Sequence, residues 1–154
     1  MRDVLPANAR PGREVPTGLG WEPVPGSRNP EGGLRGTVVE PDVAYVTTAA
    51  LEATPPEAYL AGSPPLAVEV RSPSDAPGAI TRKAGRSLPA GAAQVWALDP
   101  KRRRAIVFST GRGLAETLPG DGELNGEDVL PGGRLPLAAL WEGPDGPGDR
   151  DGPA

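Results

Sequence analysis

The sequence predicts a mixed α/β (α+β) domain built on a mixed β-sheet, and three observations support this class. A strand pattern at residues 66–70 is followed by a helix pattern and then by two more strand patterns, an order typical of a sheet with flanking helices. The length of 154 residues is that of one domain. The apolar fraction of 37%, with three Trp, two Tyr and one Phe, indicates a small and mostly aliphatic core.

The N-terminal region is rich in residues that interrupt helices. Glycine and proline number 22 and 21 in the whole chain, together about 28% of it, and they are dense in residues 1–36. We therefore expect residues 1–36 to form an irregular arm, anchored at Trp21. The folded domain is expected at residues 37–142. It begins with β-prone runs at Thr37–Val39 and Val43–Val46, and Thr47 then caps a short helix at Ala49–Ala53.

The centre of the chain carries the clearest strand. Leu66–Val70 (LAVEV) places Leu66, Val68 and Val70 on one face and Ala67 and Glu69 on the other. The residues Ser72-Pro73-Ser74-Asp75 then form a turn that supplies N-cap side chains, which predicts a weak helix from about residue 76 to residue 88. Pro89 and Gly91 are expected to stop this helix.

The remaining elements are predicted from shorter patterns. Gln94–Leu98 and Ala105–Ser109 are expected to pair through a hairpin-sized connection that begins with Asp99-Pro100. Further short strands are predicted at residues 114–118 and near residues 128–130, and residues 135–141 are expected to close the core. Residues 143–154 contain no aliphatic side chain larger than that of alanine, so we expect a disordered acidic tail.

The composition excludes several kinds of chemistry. The chain has no cysteine and no histidine, which removes disulfides, thiolate or imidazole zinc sites and every catalytic triad that uses histidine as its base. Catalysis would have to rely on carboxylates, Lys, Arg, Tyr or hydroxyl groups. No apolar run is long enough to cross a bilayer and no secretory signal is visible, so the expected location is cytoplasmic, with no membrane partner.

The charge is distributed unevenly. The net charge is −4, but residues 71–104 hold eight basic residues against Asp75 and Asp99. Such a segment can attract a polyanion locally, because distant charges are screened. The run from Lys101 to Arg104 fits two interpretations: contacts to nucleic-acid phosphates, or an exposed hairpin turn whose charge provides solubility and protects a sheet edge.

Two carboxylates stand out as candidates for chemistry. Glu69 interrupts an apolar strand, where an ionised carboxylate needs compensation, and Asp42 follows Pro41 at the start of another strand. A Mg²⁺ ion could provide this compensation, since it binds one or two carboxylates together with waters and phosphates. Plainer interpretations stay open. Glu69 could face water or pair with Arg71 or Arg82, Asp42 could cap a turn, and Lys83 on the following helix could be a solvated surface residue.

Taken together, these residues resemble a known family. The similarity rests on Pro41-Asp42, Glu69-Val70, Ser72–Asp75, Lys83 and Val95–Pro100, in that order and spacing. The chain resembles the Uma family of putative restriction endonucleases, within the PD-(D/E)XK nuclease superfamily, over roughly Val38 to Trp141. The later stretch from Gly126 to Leu137 looks like the closing segment of that family.

The resemblance implies a restriction-endonuclease-like core and an endonuclease that hydrolyses DNA with Mg²⁺ or Mn²⁺. Asp42 and Glu69 would match the metal-binding carboxylates, with the Val70 carbonyl as a further ligand. Lys83 would match the catalytic lysine and would orient the nucleophile or screen developing charge. The usual lysine position, two residues after Glu69, holds Arg71, which cannot act as a base. Members of this fold often pair, so a homodimer stays open.

The chain also departs from the family pattern. No N-terminal helical section is visible, so the domain looks truncated, and Ser87 stands where a tyrosine is expected. An alternative to the active nuclease is therefore a catalytically inactive homologue that serves as a binding or structural remnant. A third hypothesis, an unrelated β-rich interaction module, predicts no strand at 66–70 followed by a helix that bears Lys83.

Overall fold

A mixed β-sheet of five strands forms the centre of the molecule, whose computed structural model describes residues 21–22, 40–55, 58–113 and 115–142. The elements in chain order are β1 (Trp21–Glu22), β2 (Val43–Tyr45), α1 (Thr48–Ala53), β3 (Leu60–Ala61), β4 (Leu66–Val70), α2 (Ala79–Ser87), β5 (Gln94–Asp99), β6 (Arg104–Ser109), β7 (Glu116–Leu118), β8 (Glu123–Asn125), β9 (Arg134–Pro136) and α3 (Ala138–Trp141). The central sheet has the order β2-β4-β5-β6-β7. The predicted α+β class is confirmed.

The parallel pair β4 and β5 is the middle of this sheet. Glu69 lies across from Ala97 in their register, and α2 connects the two strands, as a parallel pair requires. The neighbouring pairs, β2 with β4, β5 with β6 and β6 with β7, are antiparallel. The strand at Leu66–Val70 is followed by a helix that bears Lys83, so the hypothesis of an unrelated β-rich module is wrong.

The two faces of the sheet carry separate apolar clusters. On one face, Ala67 and Val95 pack with Ala84 of α2 and with Leu88 and Phe108. On the other face the buried cluster consists of Leu66, Trp96, Leu98, Ala105, Val107, Leu124 and Leu137, with Val68 and Val70 packed against it. The predicted alternation along β4 is therefore confirmed. It turns Glu69 toward the face that α2 covers.

Helix α2 begins three residues later than the sequence predicts. The Asp75 carboxylate accepts a hydrogen bond from the Ser72 N–H at 2.8 Å, which closes a turn before the helix rather than capping the helix itself. Gly78 is the N-cap residue with φ 75°, a left-handed conformation that interrupts any helix begun at residue 76. The predicted end is nearly correct, because the last helical residue is Ser87 and Pro89 follows closely.

The C-terminal elements correct a second prediction. Residues 128–130 are not a strand. They belong to the turn between β8 and β9, where the Gly126 carbonyl accepts the Val129 and Leu130 N–H groups at 2.9 and 2.8 Å. The antiparallel pair β8–β9 and helix α3 then cover the sheet face opposite α2 and bury Leu124 and Leu137 completely. The Trp141 indole N–H donates to the Gly120 carbonyl at 3.0 Å.

The remaining predictions concern the N-terminal part and the tail. Trp21 is 4% exposed and lies across from Leu60 in the parallel pair β1–β3. The strand predicted at 37–39, most of the arm at 1–36 and the tail at 143–154 lie outside the described residues. Among the helices that the structure describes, none combines the length and apolar character needed to cross a bilayer.

Candidate functional site

Glu69 is a buried carboxylate in the middle of the sheet. It is 3% exposed and lies on β4, on the sheet face that α2 covers. Burial raises the pKa of Glu69 above the usual value for a glutamate, because the charged form loses its hydration. An isolated charge in this position would be costly, so the arrangement around Glu69 must compensate for it.

Lys83 of α2 provides one part of that compensation. Its Nζ donates a hydrogen bond to Glu69 Oε2 at 2.7 Å, while the lysine side chain keeps 46% of its surface exposed. This hydrogen bond raises the pKa of Lys83, and Lys83 in turn opposes the effect of burial on the pKa of Glu69. Neither alternative partner is used: Arg71 pairs with Asp99, and Arg82 donates to the Pro77 carbonyl.

Asp42, the residue just before β2, contacts β4, the strand that carries Glu69. Its Oδ2 accepts a hydrogen bond from the Val70 N–H at 2.7 Å, across 28 residues of sequence, so it is not a local turn cap. Val43 lies across from Val68, and continuing this antiparallel register by one residue places Asp42 across from Glu69, on the same face. The negative charge of Asp42 adds to the effect of burial in raising the pKa of Glu69.

The backbone of Val70 also turns toward this edge of β4. Its N–H points at Asp42, and the N–H and C=O groups of one strand residue point to the same side. Continuing the register beyond the start of β2 places Pro41 across from Val70, and proline has no N–H to donate. The Val70 carbonyl therefore points to the same side of β4 as its N–H.

Arg71 takes part in a different group of charges. Asp99 Oδ2 accepts hydrogen bonds from Arg71 at 3.3 Å and from Arg102 at 3.2 Å, and Arg104 Nε lies 3.8 Å from it. Burial would raise the pKa of Asp99, but the Arg102 N–H and guanidinium, together with the charge of Arg71, hold it below its usual range. We call these four residues the arginine cluster.

Two further acidic residues lie among these charged groups, and the sequence patterns predict no such role for them. Asp75 is predicted only as a turn residue, yet its charge raises the pKa values of both Glu69 and Lys83. Asp99 is predicted only as the start of a hairpin turn, although the residue is 5% exposed and pairs with Arg71, Arg102 and Arg104. The available signal was Asp99 at the end of the apolar strand QVWAL, where a charge needs a partner.

A cavity of about 100 Å³ lies between the start of α2 and strands β5 and β6, with Arg71, Asp75, Asp99 and Phe108 in its wall. Asp42, Glu69 and Lys83 do not line this cavity, which lies beside the candidate site. Among the described residues, no three or more acidic side chains are grouped so as to bind a metal ion.

Comparisons with known proteins identify the fold and the family of the chain. A crystal structure of a putative nuclease belonging to DUF820 from Anabaena variabilis ATCC 29413 matches with a TM-score of 0.57 and 16% sequence identity. The match covers 68% of this chain and 60% of that chain, and it shows a shared fold. No curated protein matches the chain.

The family model described as Uma2, putative restriction endonuclease, matches residues 9–138. This range begins inside the segment for which we predict an irregular arm, and it includes Asp42, Glu69 and Lys83. The match spans most of the sequence, so the chain belongs to the Uma2 family of putative restriction endonucleases.

Proposed function

We propose that the protein is a Mg²⁺-dependent endonuclease that hydrolyses phosphodiester bonds of DNA. One arrangement carries this proposal: the buried Glu69 of β4 accepts a hydrogen bond from Lys83 of α2, and Asp42, just before β2, accepts one from the N–H of the adjacent Val70. Two carboxylates and an amine from distant parts of the chain therefore lie close together along β4. The family membership supports the reaction class.

The donor set fits a divalent cation. Mg²⁺ uses oxygen ligands and is often held by only one or two carboxylates, with waters and substrate phosphates completing its shell. Asp42 and Glu69 would supply the carboxylates and Val70 its carbonyl. Asp42 Oδ2 accepts the Val70 N–H and Glu69 Oε2 accepts Lys83, and the second oxygen of each carboxylate would bind the cation. When bound, the cation lowers the pKa of a water molecule and stabilises charge on the phosphate.

The protein side chains then have simple tasks. Asp42, just before β2, and Glu69 on β4 would hold the cation, and the sheet would keep these two carboxylates at fixed positions. Lys83 lies beside them with nearly half of its surface open, so its ammonium group can donate to the attacking water or to a phosphate oxygen. Arg71 is held by Asp99 and would not replace the lysine.

Cleavage of supercoiled plasmid DNA in Mg²⁺ or Mn²⁺ tests the proposal. Glu69→Gln and Asp42→Asn should abolish cleavage, and Lys83→Met should lower it by roughly 100-fold or more, the usual range for a proton-donating group. Glu116→Gln is the matched control, because Glu116 is exposed on β7, roughly 14 Å across the sheet from β4. Activity that persists in chelator or in Glu69→Gln would contradict the proposal.

The same experiment tests the alternative hypothesis, that the protein is a catalytically inactive homologue. It is favoured by the departures in this chain, such as Ser87 in place of the expected tyrosine, and by the site having only two carboxylates. This alternative predicts a folded protein that binds DNA without cutting it under any divalent cation.

A further inference from the structure

The arginine cluster carries more positive charge than its structural role requires. Three guanidinium groups lie within 4 Å of one carboxylate, so the four side chains together have a net charge of +2. One cation would neutralise Asp99, and crowding the others against it costs free energy through mutual repulsion. Asp75 is the other acidic residue in the wall of the neighbouring cavity, and its carboxylate accepts a hydrogen bond from the Ser72 N–H.

The guanidinium groups are held in place yet remain accessible. The side chain of Asp99 is 8% exposed, whereas Arg71, Arg102 and Arg104 keep 38%, 56% and 38% of their side-chain surface exposed. Lys101 and Arg103 on the same turn are also exposed. Guanidinium groups fixed in this way suit phosphate oxygens, because little side-chain entropy is lost when they bind.

The cluster lies next to the candidate active site. Arg71 follows Glu69 by two residues, so it points to the same sheet face at a distance of roughly 7 Å along β4. Asp99 follows Ala97, the residue across from Glu69, by the same step on β5. The positive surface of the arginine cluster therefore lies directly beside the candidate site, at the carboxyl ends of β4 and β5.

We propose that the arginine cluster binds the sugar–phosphate backbone of DNA on the side of Glu69 where Arg71 lies. This contact sets the position of the DNA strand relative to the cleavage site. The proposal rests on the proposed function for its substrate. It also assigns a task to the Lys101–Arg104 run, which the sequence left open between phosphate contact and solvated turn. Two of its residues, Arg102 and Arg104, do not simply solvate a turn, because their side chains lie against Asp99.

Salt-dependent DNA binding tests the inference without requiring catalysis. Fluorescence anisotropy of a labelled 20-base-pair duplex, measured in chelator between about 50 and 200 mM salt, gives the number of phosphate contacts from the slope of log affinity against log salt. Arg71→Gln and Arg102→Gln should each reduce the slope by about 0.9 and weaken binding by up to roughly eightfold at 0.1 M salt. The double variant should lose about twice that slope.

A matched control separates local contacts from total charge. Arg112→Gln removes one exposed positive charge beyond the opposite end of β6, at least roughly 17 Å from Arg104 and outside the screening length. It should leave slope and affinity nearly unchanged. Arg71→Lys should retain most of the slope, because a lysine still contacts phosphate as a point charge.

A second variant protects the test against misfolding. Lys101 makes no ion pair with Asp99, so Lys101→Gln should keep the thermal unfolding temperature and still lower the slope. An unchanged slope in the double variant and in Lys101→Gln, or no salt-dependent binding by the unmodified protein, would overturn the inference. If the unmodified protein cleaves DNA but the slopes do not change, only this inference fails. If the cluster variants lose binding while the unmodified protein never cleaves, only the proposed function fails.

Discussion

Replacing Lys83 by methionine should lower stability in a way that depends on pH. The substitution removes the hydrogen bond to Glu69 and leaves a carboxylate with 3% exposure without its ammonium partner. A hydrogen bond to a charged group is worth about 1.5–3 kcal/mol. Since the Lys83 side chain is 46% exposed and solvent screens it, we expect a loss of about 1–2 kcal/mol at pH 7.5 in metal-free buffer.

The pH dependence follows from the direction of the Glu69 pKa. Burial raises it above 4.5, so the folded protein holds this proton more tightly than the unfolded chain, and stability falls as the pH rises through that window. Lys83 lowers the pKa of Glu69, so removing Lys83 extends the pH range over which stability falls to higher pH. Because the pKa of Glu69 lies above 4.5, more than half of this residue is protonated at pH 4.5 in the variant, and the loss should be smaller there than at pH 7.5.

Urea unfolding of the unmodified protein and of Lys83→Met at pH 4.5 and 7.5 measures this difference. Arg86→Met is the matched control, because Arg86 is exposed on the same helix and should cost only a few tenths of a kcal/mol at both pH values. An equal loss for Lys83→Met at the two pH values would refute the reasoning, since it would show that the charge on Glu69 plays no part.

Three further substitutions test the packing and the arginine cluster by thermal and urea unfolding. Gly85→Ala on α2 should stabilise the protein by about 0.5–1 kcal/mol, because a Cβ there meets nothing within 4 Å and alanine is the better helix former; a loss of stability would contradict this. Gly120→Ala should destabilise it by about 2 kcal/mol, because its Cβ would lie 2.6 Å from the Arg103 carbonyl oxygen. Asp99→Asn should lower the free energy of unfolding by about 2 kcal/mol at pH 7, and this loss should vanish in acid. The pKa of Asp99 in the folded protein is lowered from 3.8, so its stabilising effect is present above pH 3.8 and is lost as the pH falls through the pKa of the folded state. A cost that persists at pH 2 would argue against the ion pairs as its source.

The sequence predicts the central strands well because their signals are local. The alternation in LAVEV defines both the strand and the face of Glu69, and the breakers after Ser87 mark the end of α2. The start of α2 was wrong because Asp75 resembles a helix cap by type, and only tertiary structure shows that it closes the turn to Ser72. The strand near 128–130 was wrong because Gly126 accepts two turn hydrogen bonds that no periodicity reveals.

The charged partners were harder to predict than the elements. The sequence offered Arg71 and Arg82 as neighbours of Glu69 and left Lys83 open, since distance along the chain says little about which side chains meet. Arg71 turned out to pair with Asp99, 28 residues away, and Asp42 with the Val70 N–H, also 28 residues away. Such contacts depend on the register of β2, β4 and β5, which the local patterns do not specify.

Isothermal titration of the purified protein with Mn²⁺ at neutral pH tests the central claim most directly. The account predicts uptake of a cation by the unmodified protein and by Glu116→Gln, and loss of that uptake in both Glu69→Gln and Asp42→Asn. Uptake that is the same in Glu69→Gln as in the unmodified protein, or no uptake by any of the four proteins, would contradict a metal site at Asp42 and Glu69.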